Sequence, residues 1–211
     1  MAKYLTYCSA LLLVAIAVSA FALADGTKAK PDAPSYTADG RLILPSGYYQ
    51  WAFLTSDLGM SYNEDGSKSD NPPFSNVFVN PAAYQAFLKT GTWPDKTQIV
   101  KEFRPSSTKG SINQHGYFQS GKATAVLVHV KDKSRFKGGW AFFIFSGDDS
   151  ATPAEKIPTS AGCYSCHSAH GAVDTTFVQF YPTLLPSAKK HGTLSTNYLK
   201  DEAAQSKASN K

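Results

Sequence analysis

The chain is poor in sulfur, with three cysteines and two methionines in 211 residues. That is too few for a disulfide scaffold. Charge of either sign is thin and scattered, 21 Lys and Arg against 16 Asp and Glu, and the only adjacent lysines are Lys189 and Lys190. No basic run marks a nucleic-acid surface, and the small positive excess reads as a solubilising exterior. No repeat is visible, which excludes collagen, coiled coil and solenoid architectures. A long apolar run occurs once, Ala10 to Phe21, and it is short for a membrane span of about 20 residues. Aromatic residues, by contrast, are plentiful: 13 Phe, 11 Tyr and 3 Trp. They suffice for a sizeable core or an aromatic-lined cavity in one domain.

The single apolar run sits in an export-like context. Lys3 supplies a positive start, and Ala22-Leu23-Ala24 provides a small-x-small cleavage pattern before Asp25. Residues 1–24 are therefore expected to be a signal peptide, with the periplasm as the destination in a Gram-negative source. Cleavage after Ala24 removes Lys3 and Cys8, lowers the net charge from +5 to +4, and leaves only Cys163 and Cys166. In an oxidising compartment those two face three fates: a disulfide, a metal or a covalent cofactor.

Beyond the signal, residues 25–44 are rich in Lys, Pro, Ala and Asp and read as a flexible leader. Tyr48 to Leu54 alternates as a first strand, Gly59 to Pro73 is a loop, and Phe74 to Val79 is a short strand. Asn80-Pro81 opens a helix, with Asn as the cap and Pro in the first turn, and Gly91 closes it. Strands follow at Ile99 to Arg104, Ala123 to Val130 and Trp140 to Phe145. This order predicts an α+β fold, a mostly antiparallel sheet with a few helices over residues 45–193, followed by a polar tail at 194–211.

Cys163-Tyr164-Ser165-Cys166-His167 has the spacing of a c-type haem attachment site. Two thiols three residues apart can add to the two vinyl groups of a porphyrin, and the next histidine is then held beneath the iron as an axial ligand. The rivals fit less well. A thioredoxin-like pair belongs early, between a strand and a helix. A structural zinc site needs ligands less compressed than Cys163, Cys166, His167 and His170. A sixth ligand would make the protein an electron carrier, but Met60 lies in a Gly/Ser/Asn-rich loop and His170 is one turn from His167. An open or water-bound iron is the better expectation.

The run from Cys163 through Ser168-Ala169-His170-Gly171-Ala172-Val173-Asp174 into Thr176-Phe177-Val178-Gln179-Phe180-Tyr181-Pro182-Thr183-Leu184-Leu185 resembles the C-terminal signature of the cytochrome P-460 family, which includes cytochromes c′-beta. Val77-Phe78-Val79-Asn80-Pro81, Gly91-Thr92-Trp93-Pro94-Asp95 and Lys109-Gly110-Ser111-Ile112-Asn113 are similar to the same family. The likeness covers about residues 45 to 193. It implies a mostly antiparallel domain, a homodimer, one haem with a proximal histidine, and a vacant distal site. One branch ties a lysine to the porphyrin edge and oxidises hydroxylamine. The other lacks that bond, lines the distal face with phenylalanines and binds nitric oxide.

Alternation in Ile99 to Arg104 places Ile99, Lys101 and Phe103 on the more apolar face. A lysine turned inward there has its charged form disfavoured, and a neutral amine is a nucleophile. Lys101 is thus the first candidate for a haem-linked lysine and Lys109 the second, although a Lys101 snorkelling to water accounts for the pattern equally well. Phe103 and Phe78 are candidate distal-wall residues, or ordinary core. Hydroxylamine oxidation also needs a proton acceptor, for which Glu155, eight residues before Cys163, is the candidate. Three functions remain in play: a hydroxylamine-oxidising haem oxidoreductase passing electrons to a soluble redox partner, a nitric oxide-binding protein, and a simple electron carrier.

Overall fold

The computed structural model describes residues 32–62, 69–147 and 151–209. The expected signal peptide, and residues 25–31 of the expected leader, lie outside them. Seven-residue strand β1 (Ala52–Leu58) is followed by β2 (Phe74–Val79), helix α1 (Pro81–Thr90), β3 (Gln98–Arg104), the short strands β4 (Ser106–Ser107) and β5 (Phe118–Gln119), β6 (Ala125–Lys131) and β7 (Trp140–Ser146). Helices α2 (Gly162–His170), α3 (Leu185–His191) and α4 (Thr196–Ser209) complete the chain. The main sheet has the order β1-β2-β3-β6-β7 with every pair antiparallel, so the fold is α+β. Among the described residues no helix is long and apolar enough to cross a membrane.

The first strand begins four residues later than its alternation suggests. Gly47, in the left-handed region at φ 75°, starts a 3-10 turn over Tyr48–Gln50 that buries Tyr48, and the strand forms only after it. Helix α1 starts and stops where Pro81 and Gly91 place it, but Asn80 does not cap it. Its Oδ1 instead accepts the Gln98 backbone N–H at 2.8 Å. The Asp32 carboxylate takes the Ala82 N–H at 3.1 Å, bringing a negative charge to the positive end of the helix.

The sheet carries a different load on each face. One face packs Val100, Val126, Val128, Phe143 and Phe145 against Leu42 and Tyr48. The second half of the expected leader is therefore built in: Leu42 is fully buried and bridges Ala154. On the other face, Val77, Val79 and Ile99 join Phe87, Trp93, Val178 and Leu184 from the helical side. Tyr198 of α4 is buried in this second core, so the C-terminal segment is docked through one aromatic anchor.

Candidate haem site

The second face also walls a cavity of about 500 Å³. Antiparallel partners share a face, and the register sets Thr55, Val77, Lys101, Leu127 and Ile144 side by side across all five strands. All five line the cavity. The rows on either side add Asp57 and Phe103 at one end, and His129 and Phe142 at the other.

Helix α2 closes the cavity. Positions 163, 166 and 167 fall on one helical face, and Cys163, Cys166 and His167 all line the space. Tyr164, on the same helix, anchors it to the sheet side: its hydroxyl donates to the Ile157 carbonyl at 3.1 Å and accepts the Phe142 N–H at 3.4 Å. The two thiols are not joined in a disulfide. Among the described residues no three His, Cys, Asp or Glu side chains gather in a metal-holding group.

His167 is held on three sides. Its ring stacks on Phe177 at 4.2 Å and meets the edge of Phe142 at 4.7 Å. Its Nδ1 lies 2.7 Å from the Thr175 carbonyl oxygen. A carbonyl can only accept, so Nδ1 carries the proton and Nε2 is left with its lone pair. Burial pushes the imidazole below its ordinary value, the Thr175 carbonyl acts the other way, and the Lys101 charge adds to the lowering. The ring is therefore neutral at neutral pH, the form in which imidazole binds a metal. Gly171 makes this packing possible. A Cβ there would stand 2.7 Å from the His167 carbonyl oxygen and 2.9 Å from the Thr176 nitrogen.

The residues suit a porphyrin on each count: two unpaired thiols, one imidazole with a free Nε2, and an apolar slot between sheet and helix. Lys101 lines the slot, with its Nζ 3.5 Å from Asp57 Oδ2 and 5.1 Å from the centre of the Phe103 ring. Ser75 donates its hydroxyl to the same Asp57 oxygen.

Other candidates lie elsewhere. Lys109 is exposed in the turn after β4 and is not a wall of the cavity. Phe78 pairs with Val100 rather than with Lys101, so it belongs to the opposite face, where it packs on Tyr48 and Phe53. Glu155 follows Ala154, which is buried against Leu42, and alternation turns its side chain to solvent. Of the histidines other than His167, His129 lines the cavity, with its ring 5.2 Å from that of His167, while His170 pairs with Asp201 at 2.8 Å on the surface. Met60 is also a wall residue, 38% exposed.

Sequence reading missed Asp57, because the first strand was expected to end at Leu54. It also missed the Thr175 carbonyl, a backbone atom with no side-chain signature. The family model for Cytochrome P460 matches residues 45–178, and a search of curated proteins finds no match.

Proposed function

The chain belongs to the cytochrome P460 family and is a haem-binding cytochrome; from that premise we propose that it is an exported c-type cytochrome with redox chemistry on a small nitrogenous substrate. Cys163 and Cys166 would hold the porphyrin through thioethers, and His167 Nε2 would supply a nitrogen to its iron. Hydroxylamine is the substrate the cavity supports best, with electrons leaving to a soluble redox partner in the periplasm. Nitric oxide is the alternative ligand.

When bound, the haem supplies an iron that exchanges electrons with a small nitrogen ligand and with an external acceptor. The chain's part is positioning and proton handling. Val77, Leu127, Ile144 and Phe103 make most of the wall apolar. Among these apolar neighbours stand one amine and one carboxylate, and that pair carries the reading. Hydroxylamine oxidation releases protons as well as electrons, and the Asp57 carboxylate is the acceptor the cavity offers. Ser75 and Lys101 fix it in place. Lys101, as the wall lysine, is also the candidate for the additional porphyrin bond of the family's redox branch.

The test is steady turnover of hydroxylamine with an artificial electron acceptor, using fully haem-loaded protein. Turnover is expected, and Asp57→Asn should slow it by about 100-fold, the lower end of what a lost general base costs. Intact mass and the denatured haem spectrum should show a third protein–porphyrin bond that Lys101→Ala abolishes and Lys109→Ala leaves alone. No turnover by the loaded protein would overturn the enzymatic reading. Uptake of nitric oxide without turnover would favour the second reading, for which the apolar character of the row around Lys101 speaks. A low-spin resting spectrum would instead point to a sixth ligand, Met60 or a histidine, and make the protein an electron carrier.

A further inference from the structure

Lys131 is a buried cation that the proposed chemistry does not use. Only 8% of it is exposed. Its Nζ donates to Asp174 Oδ2 at 2.7 Å and to the Trp93 carbonyl at 2.8 Å, and lies 5.4 Å from the centre of the Trp140 ring. Burying an ammonium is costly unless its donors are satisfied, and here they converge on one short turn and the residue beneath it. Asp174 holds an unusual backbone, φ 53°.

Two residues on, Thr176 makes a second anchor to the same tryptophan. Its Oγ1 accepts the Trp93 Nε1–H at 2.8 Å and donates to the Val173 carbonyl at 2.7 Å. The turn itself is closed by the Thr176 N–H on the Val173 carbonyl at 3.0 Å.

Between the two anchors lies Thr175. Its carbonyl accepts the His167 Nδ1–H, and its hydroxyl lies 3.3 Å from His129 Nε2. His129 is itself immobilised, stacked on Phe142 at 3.9 Å and flanked by Trp140 at 4.3 Å. A solvent-facing turn needs none of this. The turn is tied to the buried Trp93 from both sides, and the tied atom at its centre is the acceptor for the axial imidazole.

We infer that the Lys131–Asp174 pair and the Thr176–Trp93 bond form a positioning device for His167. They press the Thr175 carbonyl onto Nδ1–H and so set how much anionic character the imidazole carries. A stronger Nδ1–H bond makes a more basic ligand, which strengthens the iron–nitrogen bond and favours the oxidised iron. The inference rests on the assignment of His167 as the axial ligand.

The experiment reads the iron–histidine stretch of the reduced holoprotein by resonance Raman, together with the midpoint potential. Lys131→Met and Asp174→Asn are expected to move the stretch to lower frequency and the potential upward at unchanged covalent haem content. Asp174→Asn keeps the side-chain shape and a residue type that accepts positive φ, so it guards against a mere folding defect. Lys131→Arg, which keeps a cation on Asp174, is expected to restore most of both values. A band that His167→Gly abolishes but that both Lys131→Met and Asp174→Asn leave unmoved, with the potential unchanged, would overturn the inference while sparing the axial assignment. A parent protein with no such band, or one that survives His167→Gly, would overturn the axial assignment and the inference with it.

Discussion

Lys101 and Glu102 are neighbours on β3 that serve opposite faces of the sheet. Lys101 borders the cavity, whereas Glu102, 3% exposed, closes a polar cluster on the other side. Its carboxylate accepts from Tyr48 Oη at 2.7 Å, from Asn76 Nδ2 at 3.0 Å and from Arg104 Nε and Nη2 at 2.7 and 3.1 Å. Burial alone would raise its pKa. The Arg104, Tyr48 and Asn76 hydrogen bonds outweigh that and hold the carboxyl below its ordinary value. A group whose folded pKa lies below its unfolded one stabilises the fold above the unfolded value, and that contribution is lost as pH falls through the folded one. Glu102→Gln should therefore cost about 2 kcal/mol at neutral pH, a moderate figure because Arg104 reaches solvent. Urea denaturation at several pH values should show the gap between variant and parent closing below about pH 4. A gap that persists unchanged at low pH would mean the loss is one of packing rather than of charge.

Among the elements, α1 shows what local sequence can and cannot specify. Pro81 and Gly91 bound it because both act through their own backbone. Gly91 has φ 69°, its N–H bonds the Phe87 carbonyl at 2.7 Å, and its own carbonyl accepts Thr193 Oγ1 at 2.7 Å. A Cβ at this position would stand 2.8 Å from His191 Cβ and 2.9 Å from Thr193 Oγ1. Gly91→Ala should cost about 1–2 kcal/mol from the left-handed backbone alone, and more if α3 cannot give way; the midpoint of urea unfolding measures it. The helix cap was illegible because Asp32 arrives from 50 residues away. The same division runs through the site. Cys163, Cys166 and His167 are readable because the attachment motif is contiguous, and Lys101 because a charged residue interrupts an apolar strand face. Phe78 stays open between distal wall and ordinary core in the sequence because β2 is apolar on both faces, with Val77, Phe78 and Val79 in succession, and the register settles it as core. Asp57, His129 and Phe142 become neighbours of the motif only through strand register. Thr175 contributes a carbonyl that every residue type possesses.

On the scale of the whole molecule, one sheet supports a core on each face. Leu42, Tyr48, Val128, Phe143 and Phe145 close one face, and Phe87, Trp93, Val178 and Leu184 close part of the other. The rest of that second face walls the cavity together with Phe180 from the turn beyond α2, and Ile144 is 52% and Phe180 42% exposed. A porphyrin seated there would bury these apolar surfaces and fill a space of about 500 Å³. The chain prevented from attaching haem, as Cys163→Ala with Cys166→Ala and stripped of haem, should therefore keep its sheet but lose stability. A loss of about 3–5 kcal/mol, comparable to emptying a large aromatic site, corresponds in a chain of this length to a melting temperature lower by on the order of 10 °C. Calorimetry of the two forms measures the difference, and far-ultraviolet circular dichroism checks that the strands persist. Equal melting temperatures would mean that α2 and the Phe177 turn collapse onto the sheet and bury the wall themselves. In that case the slot would be something haem opens, and the stacking of His167 on Phe177 would be the contact that yields.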